Sequence, residues 1–229
     1  MQNESTQSGS TPAPTAREAR KQRESDTRRK TIIEVVRELI RAGRMGDVTL
    51  RRVAELAGFS TTVVYSLFGD KASLILHALD EDLLELARVL QASAAADSPP
   101  LERLRAAGHA YIRFGLEHPA EYSFVFMQRR PQAPDAASLM RQGDPTQDPY
   151  AFARTAMNDF AAAYRLSSTP EDIDLMTQIF WEGLHGLTSR RLVNGPEDVW
   201  VPELPNERHA DKMIDVLLTG ILSEFAISY

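Results

Sequence analysis

The sequence predicts an all-α fold of about nine helices, with a three-helix unit near the N-terminus followed by a larger helical body. Three observations carry that expectation. Apolar residues recur at i, i+3, i+4 and i+7 through most of residues 27–226, the period of helices with one buried face. Helix-start and helix-stop pairs punctuate the chain, as at Asp148-Pro149, Thr169-Pro170 and Gly195-Pro196. Only residues 121–127 (EYSFVFM) alternate like a strand, and no second run exists to pair with them, so a short helix is expected there.

Residues 1–16 are rich in Ser, Thr, Pro and Gln and have little to bury, so disorder is expected. The whole of 1–26 reads as a disordered, partly basic arm, since Arg17, Arg20, Lys21 and Arg23 open a run that continues through Arg28, Arg29 and Lys30. Such a run is either a solvated tail or an arm that tracks phosphates. The first helix, 27–42, carries Ile32, Val35, Val36, Leu39 and Ile40 and stops at Gly43. Thr49 caps a second helix on which Val53, Leu56 and Ala57 are expected to share the buried face. Gly58 ends it with a positive φ, and Ser60 caps a third helix running to Phe68. Val64 and Phe68 point inward there, while Thr61, Thr62, Val63, Tyr65 and Ser66 face out.

A long fourth helix, 70–94, starts in the three-helix unit (27–75) and ends in the body (76–229), where Asp97-Ser98-Pro99-Pro100 breaks it. The fifth spans 101–117 and ends at His118-Pro119; the short sixth follows. Residues 129–147 are expected to form a loop with one helical turn near 136–140. The seventh helix spans 148–166, with Tyr150, Ala153, Met157, Phe160 and Tyr164 on one face. The eighth opens at Thr169-Pro170, with Glu171 and Asp172 in its first turn and Arg190 and Arg191 in its last, both matched to the helix dipole. A loop over 196–206 precedes the ninth, 206–226.

Two short helices joined at a glycine, the second presenting small hydroxylated residues outward, have the layout of units that enter the DNA major groove. The string Ala57-Gly58-Phe59-Ser60, followed by Tyr65, Phe68 and Lys71 at fixed offsets, resembles the DNA-binding domain of the tetracycline-repressor (TetR) family of bacterial transcription regulators, over about residues 29–75. The resemblance implies that Tyr65 and Lys71 contact phosphates, that Phe68 is buried, and that Thr49, Arg51 and Arg52 lie near the DNA backbone. It implies that Ser60, Thr61, Thr62, Val63 and Ser66 stand on the recognition helix. Ser66 replaces a His common in the family and Thr61 a common basic residue, so no operator sequence carries over. Trp181, His185 and Gly186 resemble the Trp–His–Gly signature of one C-terminal domain type in the same family.

Charge is divided in the manner such a protein needs. The chain carries a formal −6, but residues 1–75 hold 13 Lys/Arg against 9 Asp/Glu, while residues 76–229 hold 13 against 23. A basic head on an acidic body suggests that only the head meets a polyanion such as double-stranded operator DNA.

The body's aromatic residues read from the residues alone as ordinary core, and His185 as a core or interface histidine. The family holds a cavity there. The resemblance therefore implies a small apolar or aromatic effector near Tyr111, Phe114, Tyr122, Phe126, Met157, Phe160, Phe180, Trp181 and His185. The eighth helix is apolar nearly all round at its centre (IFWEGLHGL), so it must be covered on two sides. A homodimer is expected, its four-helix interface built from 172–192 and 211–225, with Leu184, Leu187, Arg191, Ile214, Leu217, Leu218 and Ile221 at the seam.

Other chemistry is set aside. There is no Cys, hence no disulfide or thiolate site. The five His form no i, i+4 metal pair, and no Gly-x-Ser-x-Gly or phosphate loop occurs, so no metal, cofactor or enzymatic role is expected. Glu81, Asp82 and Glu85 read as a solvated face. No run approaches the ~20 apolar residues of a membrane span and no apolar signal core opens the chain, which points to the cytoplasm. The competing reading is a helical ligand-binding or interaction protein whose helix-turn-helix is only a packing unit.

Overall fold

A computed structural model describes residues 15–93, 95, 97–129, 138, 140–194, 200–202 and 204–227. Nine α-helices follow one another among the described residues: α1 (Ala16–Arg41), α2 (Leu50–Ala57), α3 (Thr61–Phe68), α4 (Lys71–Ala92), α5 (Pro100–Glu117), α6 (Pro119–Phe126), α7 (Pro149–Tyr164), α8 (Pro170–Val193) and α9 (Asn206–Glu224). A short 3-10 turn, Met45–Asp47, precedes α2. The described residues form no strand; a single antiparallel bridge from Leu166 to Ala226 ties the end of α7 to the end of α9. Residues 121–126 are helical and Met127 caps them, in line with the short helix expected there.

The side chains pack into two cores. The head core joins α1, α2, α3 and the first half of α4 through Ile32, Val36, Val53, Val64, Phe68, Leu74 and Leu79. The body core joins the rest of α4 to α5, α7, α8 and α9. Two helices belong to both. On α4, Leu83 packs into the head and Leu86 and Leu90 into the body. On α6, Phe124 and Val125 complete the head core, and the half-buried Phe126 touches both.

Several expectations need correction. α1 begins at Ala16 rather than near residue 27, because Thr15 and Glu18 form a reciprocal capping box. Part of the expected disordered arm is therefore helix; residues 1–14, and most of the helical turn expected near 136–140, lie outside the described residues. On α2 the buried pair is Val53 and Ala54, and Leu56 faces solvent at 44% exposure. Asp82 is not part of a solvated acidic face. It is buried, and Arg37 of α1 donates to its Oδ1 through Nε and Nη2 at 2.8 Å. Burial pushes the Asp82 carboxyl up to about 6 even with Arg37 beside it. A second bridge, Arg41 Nε to Glu121 Oε1 at 2.6 Å, ties α1 to α6.

The seam placed on α8 and α9 also changes. Leu184, Leu187, Ile214, Leu218 and Ile221 are all buried within the chain's own core, Leu218 at 1% exposure. Leu217 is half-buried over Gly183, where an added Cβ would stand 2.6 Å from its Cδ1. Arg191 is half-exposed and donates to the carbonyl of Leu204 at 2.8 Å. The faces these helices turn outward carry Leu175, Ile179, Gly186 and Val193 on α8, and Val216 and Gly220 on α9.

Candidate functional site

Two places have the geometry of a site: the outer surface of the head and a cavity in the body. On the head, three capped helix starts carry the expected residues. The Thr49 hydroxyl accepts from Arg52 N at 3.2 Å, and Arg51 and Arg52 stand in the first turn of α2. Arg52 is half-exposed and pairs with Glu55 at 2.9 Å, while Arg51 is exposed and has no ion-pair partner among the described residues. Gly58 takes φ +72°, a left-handed conformation that a β-carbon would strain. Ser60 then accepts from Val63 N at 3.3 Å and starts α3.

Along α3, Val64 and Phe68 anchor the helix while Thr61, Thr62, Tyr65 and Ser66 are exposed and Val63 is half-buried. Tyr65 is 64% exposed, although a Tyr ring gains free energy by burial and its hydroxyl makes no bond among the described residues. The Ser66 hydroxyl, by contrast, donates back to the Val63 carbonyl at 2.9 Å and is already occupied. Asp70 caps α4 by accepting from Ser73 N at 2.7 Å, leaving Lys71 exposed at its first position. Of the ten head residues singled out from the sequence, Tyr65 and Ser66 fall in the second half of α3 and the other eight on the beginnings of α2, α3 and α4, all exposed or half-exposed.

The body holds a cavity of about 350 Å³. Its walls come from Leu83, Leu86 and Leu90 of α4, Leu104, Ala107 and Tyr111 of α5, and Val125 and Phe126 of α6. The N-terminal half of α7 adds Tyr150, Phe152, Ala153 and Ala156, and α8 adds Phe180, Trp181 and Leu184. Of the nine effector residues expected from the sequence, Tyr111, Phe126, Phe180 and Trp181 line this space. Phe114, Tyr122, Met157 and Phe160 are core behind it, and His185 sits in the layer beyond Tyr111. The sequence reasoning missed the wall contributed by α4 and the small residues Ala107, Ala153 and Ala156, whose short side chains leave the room that larger ones would fill. Periodic alanines on helices that otherwise bury large side chains were the available signal.

One wall is backed by a hydrogen-bonded chain. Trp181 Nε1 donates to Tyr111 Oη at 3.0 Å, Tyr111 Oη lies 2.9 Å from Tyr122 Oη, and Tyr122 Oη lies 2.6 Å from His185 Nδ1. An indole can only donate, so Tyr111 Oη accepts from it. An arrangement that runs both phenol protons toward His185 fits these distances; in it Nδ1 accepts and the neutral imidazole carries its proton on Nε2. Burial lowers the His185 pKa and pushes Tyr122 up to about 12, both in the sense this chain requires. Tyr111 is raised as well, by burial first and by Tyr122 second. At the other side of the cavity the Asp148 carboxylate is used up capping α7, accepting from Tyr150 N at 2.9 Å and from Gly143 N at 2.9 Å. Gln128 places an exposed amide side chain at the cavity's edge. The lining is apolar, and the polar groups behind it are mutually satisfied.

No group of three or more His, Asp or Glu among the described residues could hold a metal ion, and no described helix is long and apolar enough to cross a membrane.

The comparisons agree with this geometry. No curated protein matches the chain. Solved structures do: the regulatory protein SCO4313 shares 20% identity at a TM-score of 0.66, covering 86% of this chain and 98% of that one. A TetR family transcription regulator from Marinobacter aquaeolei VT8 shares 16% identity at 0.62, covering 86% and 97%. A bacterial regulatory protein of the tetR family from Rhodococcus RHA1 shares 17% at 0.58, covering 88% and 98%. At those identities the likeness establishes the fold. The profile of the tetracyclin repressor-like C-terminal domain matches residues 104–217, from within α5 to within α9, and so takes in the cavity walls supplied by α5, α6, α7 and α8. With that domain in the body and a capped helix-turn-helix in the head, the chain belongs to the TetR family of ligand-responsive transcriptional regulators.

Proposed function

We propose that the chain is a repressor that binds operator DNA as a homodimer through the starts of α2, α3 and α4, and that an uncharged apolar or aromatic molecule in the body cavity releases it. The observation that carries this reading is the double membership of α4 and α6. Both line the cavity, through Leu83, Leu86 and Leu90 on α4 and Val125 and Phe126 on α6, and both help to form the head core. A ligand that prefers one placement of these helices shifts the head with them, and linkage then requires DNA to weaken that ligand by the same factor. The effector is uncharged because the cavity offers no free counter-ion: Asp148 is occupied as a cap and the Tyr111–Trp181 wall has its hydrogen bonds filled.

In the homodimer the seam is the outward face of α8 and α9. Leu175, Ile179, Val193 and Val216 expose apolar side chains there, and Gly186 and Gly220 have open space where a Cβ would stand. A second helix backbone can approach both glycines closely. Val216→Glu is expected to give folded monomer in light scattering, whereas Leu218→Glu, buried in the chain's own core, is expected to unfold the protein.

Selection of bound duplexes from a random-sequence pool tests the DNA reading. The expected product is an inverted repeat whose half-sites lie about one helical turn, ~34–36 Å, or a multiple apart. Recovery of no preferred sequence, together with no salt-dependent retention on heparin, would return the helix-turn-helix to a packing role.

A further inference from the structure

We infer that the N-terminal half of α1 is a rigid cationic rod that docks on the DNA backbone flanking each half-site; the inference rests on the operator-binding reading above. Residues 16–31 contribute no buried side chain; the first is Ile32. That leaves a stretch of helix about 24 Å long with no core of its own. Helices without a buried face are marginal in water. This one is held by local devices: the Thr15–Glu18 capping box, the Arg20–Glu24 bridge at 2.9 Å and the Gln22–Asp26 hydrogen bond at 2.8 Å.

Those devices occupy all three of its acids. Glu18 is spent on the cap, Glu24 on Arg20 and Asp26 on Gln22. Arg17, Lys21 and Arg28 have no ion-pair partner among the described residues and are exposed. At about 100° per residue they fall within roughly 40° of one another around α1, a stripe along one side of the rod. Arg23 and Lys30 lie on the opposite side. Glu24 shares this side, four residues before Arg28, but Arg20 engages it, so the stripe keeps a net positive charge. Such a stripe on a preformed helix matches a run of phosphates at fixed spacing, and binding there would relieve its own repulsion.

The rod also starts in the right place. Where α1 leaves the head core, the Arg29 guanidinium lies 5.3 Å from the centre of the Phe68 ring. Phe68 ends α3, and Lys71 begins α4 three residues later. The rod therefore leaves from the edge of the head that carries a proposed phosphate contact, next to the recognition helix rather than on the body side.

The test uses the full chain and two versions of the duplex recovered by selection, one trimmed to its half-sites and one extended by about ten mixed-sequence base pairs at each end. Wild type is expected to bind the extended duplex at least about tenfold tighter at low salt, with a salt slope steeper by about five units, three phosphates for each of the dimer's two rods. Arg17→Gln/Lys21→Gln/Arg28→Gln, which keeps good helix formers at each site, should lose that gain and keep its affinity for the trimmed duplex. Arg23→Gln/Lys30→Gln should keep the gain. Equal response to the flanks in wild type and the stripe variant, or equal losses in both variants, would overturn the inference while leaving operator binding intact. Failure of wild type to bind either duplex would instead overturn the operator-binding reading itself and the inference built on it. Circular dichroism on both variants checks that helix content is unchanged; a drop confined to the stripe variant would make those residues structural and also overturn the assignment.

Discussion

In the head, Thr61, Thr62, Tyr65 and Lys71 stand in solvent on a core they do little to hold, whereas in the body Tyr111 and Phe180 both line the cavity and belong to the core around it. The first arrangement separates function from stability. A surface side chain can change which DNA is bound while Ile32, Val53, Val64 and Leu74 keep the three helices together. The second arrangement couples them, because any change that reshapes the cavity also repacks α4, α5 and α8. Substitutions in the two regions should therefore fail in different ways.

The largest effect is expected where the regions meet. Arg37→Ala removes the cation bonded to the buried Asp82 carboxylate and leaves only the more remote charge of Arg41, and loss of one partner of a buried pair costs about 3–5 kcal/mol. Chemical denaturation reads this directly. A value near that of an ordinary surface substitution would mean that the α1–α4 contact does not hold head to body.

Within the body, Gly115→Ala places a Cβ against Thr188 Cγ2 and 2.8 Å from Tyr122 Cδ2. Overpacking between α5 and α8 should cost about 1–3 kcal/mol. Because Tyr122 belongs to the chain behind the cavity, the same variant should disturb the Trp181 fluorescence, which a head variant should not.

Both halves should respond to pH, because burial lowers His77 beside Phe68 in the head as it lowers His185 in the body. Burial holds the folded His185 pKa below its ordinary value of about 6.5, so the unfolded chain binds the proton more readily. The stability this gives is complete above about 6.5 and is lost as pH falls through that value toward the folded pKa. Asp82, raised to about 6, acts with the opposite sign, favouring the fold as pH drops through that value. The His185 share is therefore read as a difference: between pH 7.5 and 5 the melting temperature of wild type should fall more than that of His185→Gln. A parallel fall in both proteins would remove the neutral imidazole from the account.

At the head, Lys71→Ala and Tyr65→Phe should leave stability within about 0.5 kcal/mol, as exposed positions do. Lys71→Ala should still reduce the salt slope of DNA binding by about two units, one for each protomer, and equally for all sequences. Thr62 and Val63 should instead shift which base is preferred, Val63 through a thymine methyl. Selected duplexes that are identical for all four variants would erase that division of labour. The smallest effect on DNA binding is expected at Arg165, the only positive-φ residue other than glycine among the described residues, at φ +55° where α7 ends. Arg165→Gly should change stability by no more than about 1 kcal/mol, on the favourable side, with no change in DNA binding.

The same contrast explains what could be read in advance. Head residues were legible because local chemistry fixes them: Thr49, Ser60 and Asp70 cap helices, Gly58 turns the chain, and the side chains between them must face out. Body residues were not, because α8 is apolar on both sides of its axis. Its period identifies Leu184 and Leu187 as facing something, but the choice between the chain's own core and a second copy is made by tertiary packing. Leu218 and Ile221 on α9 failed the same way. The cavity escaped notice because a void is a property of several helices at once; no single stretch records that Ala107, Ala153 and Ala156 face one another's helices across it. The early start of α1 was missed because a helix held by caps and ion pairs has no apolar stripe to betray it.

The central claim is that the cavity and the DNA-reading surface are coupled through α4 and α6. It can be tested without knowing the natural effector. Ala153 lines the cavity from α7, distant in sequence from the head, and Ala153→Trp would fill part of the 350 Å³ space with a bulky apolar group. Affinity for the selected duplex should be measured for this variant and wild type, with fold and oligomeric state checked in parallel. Coupling of ordinary size predicts a loss of about fivefold or more. Equal affinity in a variant that remains folded and dimeric would contradict the account, leaving a cavity and a DNA surface that share a chain but not a mechanism.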